Sequence, residues 1–413
     1  MNGNAGEGLR GRVHLPTRRP AAGIALGAAV SMGCGGASPP LRAAPAAPAA
    51  LTDQAALGRL LFEDVSLSAS GRQSCATCHA PATAHGAPDA APVRPGGPAL
   101  ERSGTRSSPS IRYLSTNGPF HFDAEGTPVG GFFWDGRAGS LADQAGRPFL
   151  NPVEMANPDR AAVVAKLRAA PYAGRFRAVF GAAALDDVEG AYLRMTLAIQ
   201  RFELEAPELH PFDSKYDAFL RGEVVLSPQE LHGLALFNSP AKGNCAACHP
   251  SARGADGSPP LFTDFTYDAL GVPRNPEIPA NADPSSFDLG LCAREGGDLA
   301  GRPDLCGAFK VPSLRNVAQR RSFFHNGRFT TLKDTLAFYV RRDTNPERYY
   351  PTGDDGAPVK FDDLPPQYRR NVNTTEAPYD RRPGDAPALD GDDIDDVIAF
   401  LRTLDDGWVP PAR

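Results

Sequence analysis

Cys75-Ala76-Thr77-Cys78-His79 decides how this chain is read. Two thiols separated by two residues and followed directly by an imidazole are what covalent attachment of a porphyrin requires. The cysteines add across the two vinyl groups and the histidine reaches the iron, so a C-x-x-C-H run reads as c-type haem attachment. The pattern returns at Cys245-Ala246-Ala247-Cys248-His249. A zinc site would need further Cys or His ligands at finger-like spacing. His85 follows the first motif closely, but no second cysteine pair does. Two complete motifs in a chain with 7 cysteines imply two covalent c-type haems.

The sequence around each motif follows one plan. Ahead of the first, Thr52 or Asp53 caps a helix with Leu57, Leu60 and Leu61 on one face. Ahead of the second, Ser227-Pro228-Gln229-Glu230 carries cap, N1 proline and N3 glutamate, and its helix runs through Leu231 and Leu234 to Leu236-Phe237. Gly58-x-x-Leu61-Phe62 matches Gly233-x-x-Leu236-Phe237, an internal duplication. The expected fold is therefore mainly α and loop-rich, with two cytochrome c-like haem domains packed together. Residues 51–215 would hold the first haem and 216–413 the second, joined within 211–227. Further helices are expected over 158–169, 186–204, 331–341 and 392–404, the last crossing the second pre-haem helix. In the second of these, Met195 reads as core. Residues 83–108 and 259–305 read as loop.

At 413 residues the chain has room for two or three domains. A net charge of -5 argues against nucleic acid as a partner. With 42 glycines and 41 prolines, much of the chain is loop. Residues 1–50 read as a targeting segment and linker. Arg10, Arg12, Arg18 and Arg19 precede a short apolar run, too short to span a bilayer. Ser31-Met32-Gly33-Cys34 resembles a lipoprotein cleavage box, with Cys34 as a possible lipid anchor; an ordinary signal peptide cut in the Ala/Pro-rich stretch is the alternative. Either route delivers the chain to the periplasm, where bacteria attach c-type haem. In that setting Cys292 and Cys306 favour a disulfide over two free thiols, worth about 3 kcal/mol. No nucleotide-binding loop and no Ser-His-Asp arrangement stands out.

Between the two haem motifs lies Trp134-Asp135-Gly136-Arg137-Ala138, then Gln144, then Asn151-Pro152-Val153-Glu154-Met155. Together with Lys310–Asn316 and His325–Leu332, this combination resembles the dihaem cytochrome c peroxidase and MauG family, over nearly everything after the targeting segment. The resemblance implies a periplasmic enzyme in which one haem reacts with hydrogen peroxide and the other stores or relays electrons. Those electrons would come from a small cytochrome c or cupredoxin, or, in the MauG-like branch, from residues of a protein substrate. It implies His79 as proximal ligand of the peroxidatic haem and His249 as that of the second. Glu154 becomes the distal acid/base, Gln144 its neighbour and Trp134 the residue between the haems. His85 and His121 lie in loops and read as surface histidines, so an open peroxidatic iron is expected. The family binds calcium between its domains. The aligned positions here are Tyr113, Arg320 and Ser322, and two of the three cannot repeat the usual contacts, which counts against calcium. The second domain cannot supply a methionine opposite His249, since Met1, Met32, Met155 and Met195 all precede the second motif. The MauG-like branch places a tyrosine ligand on the helix after His325-Asn326-Gly327, which makes Tyr339 the candidate.

Overall fold

The computed structural model describes residues 50–410. The targeting segment with Cys34 lies outside the described residues. Helix α1 (Asp53–Glu63) starts where Thr52 Oγ1 accepts a hydrogen bond from the Ala55 amide at 3.2 Å. The first haem motif forms a single turn, α2 (Cys75–Cys78), closed by a Ser74–Thr77 capping box. Then come α3 (Leu141–Leu150), α4 (Arg160–Ala169), α5 (Ala173–Phe180) and α6 (Val188–Glu205). The later part of the chain contributes α7 (Lys215–Leu220), α8 (Pro228–Asn238), α9 (Leu332–Arg341) and α10 (Gly391–Arg402). Three short antiparallel ribbons tie the loops: β1 (Pro95–Gly96) with β2 (Arg102–Ser103), β3 (His121–Phe122) with β4 (Pro128–Val129), and β5 (Tyr267–Asp268) with β6 (Phe309–Lys310).

The sequence duplication has a structural reason. Helix α1 crosses α6 so closely that a Cβ at Gly58 would lie 1.9 Å from the Ala198 carbonyl oxygen, and α8 crosses α10 so closely that a Cβ at Gly233 would lie 1.9 Å from that of Asp396. Only glycine permits either approach. Four residues after each glycine comes a phenylalanine whose ring meets another on the crossing helix. Phe62 lies 5.4 Å from Phe202, and Phe237 lies 5.2 Å from Phe400. Each crossing seeds a core. One cluster gathers Leu57, Leu61, Phe149, Val163, Met195 and Ile199; the other gathers Leu236, Phe237, Phe262, Ile394, Val397 and Phe400. A smaller cluster sits on the Cys292–Cys306 disulfide, whose Cα atoms are 4.8 Å apart.

The stretch read as a linker is not a bare connection. Ser214 and Asp217 form a capping box that starts α7, and Tyr216 on that helix is buried in the second core. Asp217 is bound by both terminal nitrogens of Arg315, at 2.9 and 2.8 Å, and Arg315 also donates from Nε to the Pro260 carbonyl at 2.8 Å. Both partners are almost wholly buried. Burial alone would raise the Asp217 carboxyl, but Arg315 holds it below its ordinary range. Removing one member of such a pair leaves an uncompensated buried charge. Asp217→Ala should cost about 3–5 kcal/mol, read from the denaturant midpoint of the haem-loaded protein. A loss under about 1 kcal/mol would mean that the pair is solvated.

Helices α3 and α5 add to the helices expected from the sequence. Pro148 inside α3 lacks an N–H donor and so costs the helix one intrahelical bond near its C-terminus.

Candidate active site

Both histidines of the haem motifs are set the same way. His79 Nδ1 donates to the Pro109 carbonyl at 2.9 Å, and His249 Nδ1 donates to the Phe262 carbonyl at 2.7 Å. Each bond fixes the tautomer and leaves the Nε2 lone pair free for a metal. Burial lowers the pKa of both imidazoles, which keeps them neutral and able to ligate.

Cys75, Cys78 and His79 line a cavity of about 550 Å³, and Gln144, Glu154 and Trp134 line the same cavity. Helix α3 carries Gln144, and the turn after it carries Glu154. That turn is held from several sides. The Gly97 amide donates to the Glu154 carbonyl at 2.9 Å, the Ala69 amide donates to that of Met155 at 2.8 Å, and Asn157 Nδ2 donates to the Leu67 and Phe149 carbonyls at 2.9 Å. Burial raises the Glu154 carboxyl above its ordinary value, opposed by Arg137 and by a hydrogen bond from Asn151. A carboxyl so placed is suited to taking up and releasing a proton.

Cys245, Cys248 and His249 line a second cavity of about 180 Å³, and Tyr339 of α9 lines it too. The Tyr339 ring is flanked by Phe324 at 5.4 Å and Tyr379 at 6.2 Å. Burial pushes its phenol well up, so an ionised oxygen there requires a cation beside it. His325 reaches the same cavity but is occupied otherwise. Its ring stacks on Phe309 at 3.5 Å, with Nε2 3.7 Å from Asp363.

Trp134 lines both cavities. Its Nε1 donates to the Ser107 carbonyl at 2.8 Å, and its own carbonyl accepts from the Lys310 amide at 2.8 Å. Asp135 beside it binds Arg106 at 2.7 Å and Arg137 at 2.9 Å, and Arg137 lies 3.6 Å over the Phe133 ring. Lys310, Asp288 and Arg320 share the wall with the tryptophan.

A family model described as di-haem cytochrome c peroxidase matches residues 52–225. The methylamine utilization protein MauG of Paracoccus denitrificans (strain Pd 1222) is 39% identical over 375 residues, covering 86% of this chain and 89% of that protein. The chain belongs to the dihaem cytochrome c peroxidase and MauG family. As a member it is an enzyme carrying two c-type haems. The cytochrome c551 peroxidase of Nitrosomonas europaea is 31% identical over 339 residues, covering 78% of this chain and 84% of that one. Among solved structures, the dihaem peroxidase BthA from Burkholderia thailandensis E264 superposes with a TM-score of 0.78 at 41% identity, covering 86% of each chain. The haem fits this member's own residues, because each cavity presents two thiols and an imidazole whose outer nitrogen is already hydrogen-bonded.

Of the two loop histidines read as surface residues, His121 is exposed, but His85 is 3% exposed and is thereby corrected. The His85 amide donates to the Ala80 carbonyl, its carbonyl accepts from Ile111, and its Nδ1 accepts from Arg112 Nε at 3.4 Å. It lines neither cavity. Sequence reasoning missed Glu203, which is 6% exposed, lines the first cavity, and has an Oε2 without a hydrogen-bond partner. Burial pushes its carboxyl up to about 8. The signal was present: Met195, Ile199 and Glu203 fall four apart on one buried stripe of α6, where an acid is out of place. Lys310 and Arg320 were also given no role at the cavity wall. The Lys310 ammonium donates to the Gly131 carbonyl at 2.5 Å, and burial lowers it to about 7.

Proposed function

We propose that this chain is a periplasmic enzyme that reduces hydrogen peroxide, with two cytochrome c-like domains packed so that electrons pass between covalent haems on Cys75/Cys78 and Cys245/Cys248. His79 and His249 would hold the irons from one side. When bound, the haems supply peroxide activation and electron storage. The chain's own part is to bind, orient and move protons. The Glu154 carboxylate takes the proton from the near oxygen of peroxide and returns it to the far oxygen, which leaves as water. With two electrons and two protons, one peroxide gives two waters. The Gln144 amide, on the same cavity, orients the peroxide. Trp134 closes the wall common to both cavities and shortens the electron's route. The observation that carries this reading is the shared lining: Glu154 and Gln144 with His79 on one cavity, Tyr339 with His249 on the other, and Trp134 on both.

Tyr339 favours a second reading of the same chemistry, in which a MauG-like enzyme oxidises residues of a partner protein. A phenolate is a hard anionic donor that favours the oxidised metal, so the second haem would hold an oxidising equivalent better than it donates electrons. The source of electrons, a small cytochrome c or cupredoxin against a protein substrate, separates the two.

Among the described residues no helix is long and apolar enough to cross a membrane. Periplasmic location rests on the targeting segment and on covalent haem attachment.

The test uses the full chain expressed with haem-attachment machinery. It should carry two haem equivalents that acid-acetone cannot extract, and should oxidise a reduced small cytochrome c only when peroxide is added. Changing Cys245 and Cys248 to Ala should leave one haem and stop the oxidation. A colourless protein, or two haems that ignore peroxide, would overturn the proposal.

A further inference from the structure

Arg320 follows the 3-10 turn Val317–Gln319, and its side chain lines both cavities. Its Nη2 donates to the Ser108 carbonyl at 3.4 Å and to the Ser322 carbonyl at 3.2 Å, and its Nε to the Ser322 carbonyl at 3.4 Å. All these acceptors are neutral. The other arginines near the cavities and the cores behave differently: Arg106, Arg112, Arg137, Arg294, Arg315 and Arg342 each bind a carboxylate. Among the described residues, none lies within ion-pair distance of Arg320. Burial lowers its pKa to about 10, which leaves it charged at neutral pH. Arg320 is half-buried on the cavity walls, and a guanidinium partly withdrawn from water without a counter-charge is costly. Its balancing anion is therefore to be sought in what the cavities hold, and a haem carries two propionates.

The calcium that the family resemblance implies does not fit here. Tyr113 Oη donates to Asp406 at 2.5 Å and accepts from the Phe212 amide at 3.2 Å. Ser322 Oγ is bonded to Ser107 Oγ at 2.9 Å, and its carbonyl already accepts from Arg320. No group of three or more His, Cys, Asp or Glu able to hold a metal occurs among the described residues. Calcium takes roughly six to eight oxygen ligands, and a guanidinium on the same carbonyl repels it.

We propose that Arg320 is a built-in cation between the two haem pockets, neutralising haem propionate charge where relatives would use a divalent metal. Arginine suits this role because its planar fork pairs with a carboxylate through two parallel bonds, and its charge does not depend on metal supply. The fixed positive charge stabilises the reduced form of a nearby haem. It acts on the His79 side, because Arg320 Nη2 holds the Ser108 carbonyl and the carbonyl of the next residue, Pro109, receives His79 Nδ1.

The inference rests on the two-haem reading, and the test is made on the haem-loaded full chain. Metal analysis of the protein as purified should find no stoichiometric calcium, and dialysis against EGTA should leave both midpoint potentials unchanged. In potentiometric titrations, Arg320→Met should lower the midpoint potential of the His79 haem, while Arg320→Lys, which keeps the charge, should hold it near the parent value. One calcium per chain that EGTA removes with a change in potential would overturn the proposal. So would an Arg320→Met protein with parental potentials. If Arg320→Met fails to load haem, the EGTA result and the Arg320→Lys potentials decide. Failure of the two-haem reading would look different, since the parent protein would then lack one or both haem spectra.

Discussion

Glu154→Gln is expected to slow the reaction with peroxide by about 10²–10⁴-fold while leaving both haem spectra as they are. Gln has nearly the shape of Glu, and the turn that carries residue 154 is held by backbone bonds from Gly97 and Ala69 that the substitution does not touch. What is lost is a group that can take up a proton and give it back. The pH dependence supplies a second, independent check. Burial raises the Glu154 carboxyl, and the form that accepts a proton from peroxide is the ionised one. The parent rate should therefore rise with pH through that elevated pKa, and the variant should lack this limb. Stopped-flow measurement of the peroxide reaction across pH reads both effects. Unchanged kinetics in the variant would remove Glu154 from the mechanism, and Glu203, the other buried acid on that cavity, would take its place as the candidate.

The second large effect is expected at Tyr339. Changing it to Phe keeps the ring between Phe324 and Tyr379 but removes the oxygen. If that oxygen holds the second iron, the electron paramagnetic resonance and near-infrared spectra of one haem change and those of the other do not. The potential of the altered haem rises, because an anionic donor that favours the oxidised metal has gone. Axial ligands span roughly 0.8 V of haem potential, so the shift should be a sizeable part of that range. His325 is the competitor on the same cavity. Its ring, however, lies flat against Phe309, and reaching toward a metal would break that stack. Changing His325 to Ala gives the control. Should Tyr339→Phe leave both haems unchanged while His325→Ala alters one, the MauG-like reading loses its main support.

The parts legible in the sequence are those whose physics is local. Covalent haem attachment needs its thiols and imidazole side by side, so Cys75–Cys78 with His79, and Cys245 to His249, are contiguous and plain. Caps and periodicity are also local. Thr52, Ser227 and the acid-rich start of α10 announce their helices within a residue or two. The Gly58 and Gly233 repeat is legible because a close helix crossing leaves no alternative to glycine. The roles proposed for Glu154, Gln144, Trp134 and Tyr339 come only through a resemblance, since nothing in their spacing says which cavity each will face.

Tertiary structure decides the rest. Helix α7 starts from a local capping box inside an apparent linker, but what buries it is long-range: Arg315, far along the chain, binds Asp217. His85 is internal because the loop after Ser110 closes over it through Ile111 and Arg112. The wall between the cavities is assembled from loops. Ser107 receives the Trp134 indole, Lys310 binds the backbone of Trp134 and Gly131, and Arg320 reaches Ser108. Loops carry no periodicity, and their paths are set by such long-range bonds. The sequence by itself therefore determined that two haems are attached and which helices carry their cores. Only the packed chain decided which acids line the first cavity and which ring and cation line both, because those contacts join residues whose neighbours in sequence give no sign of one another.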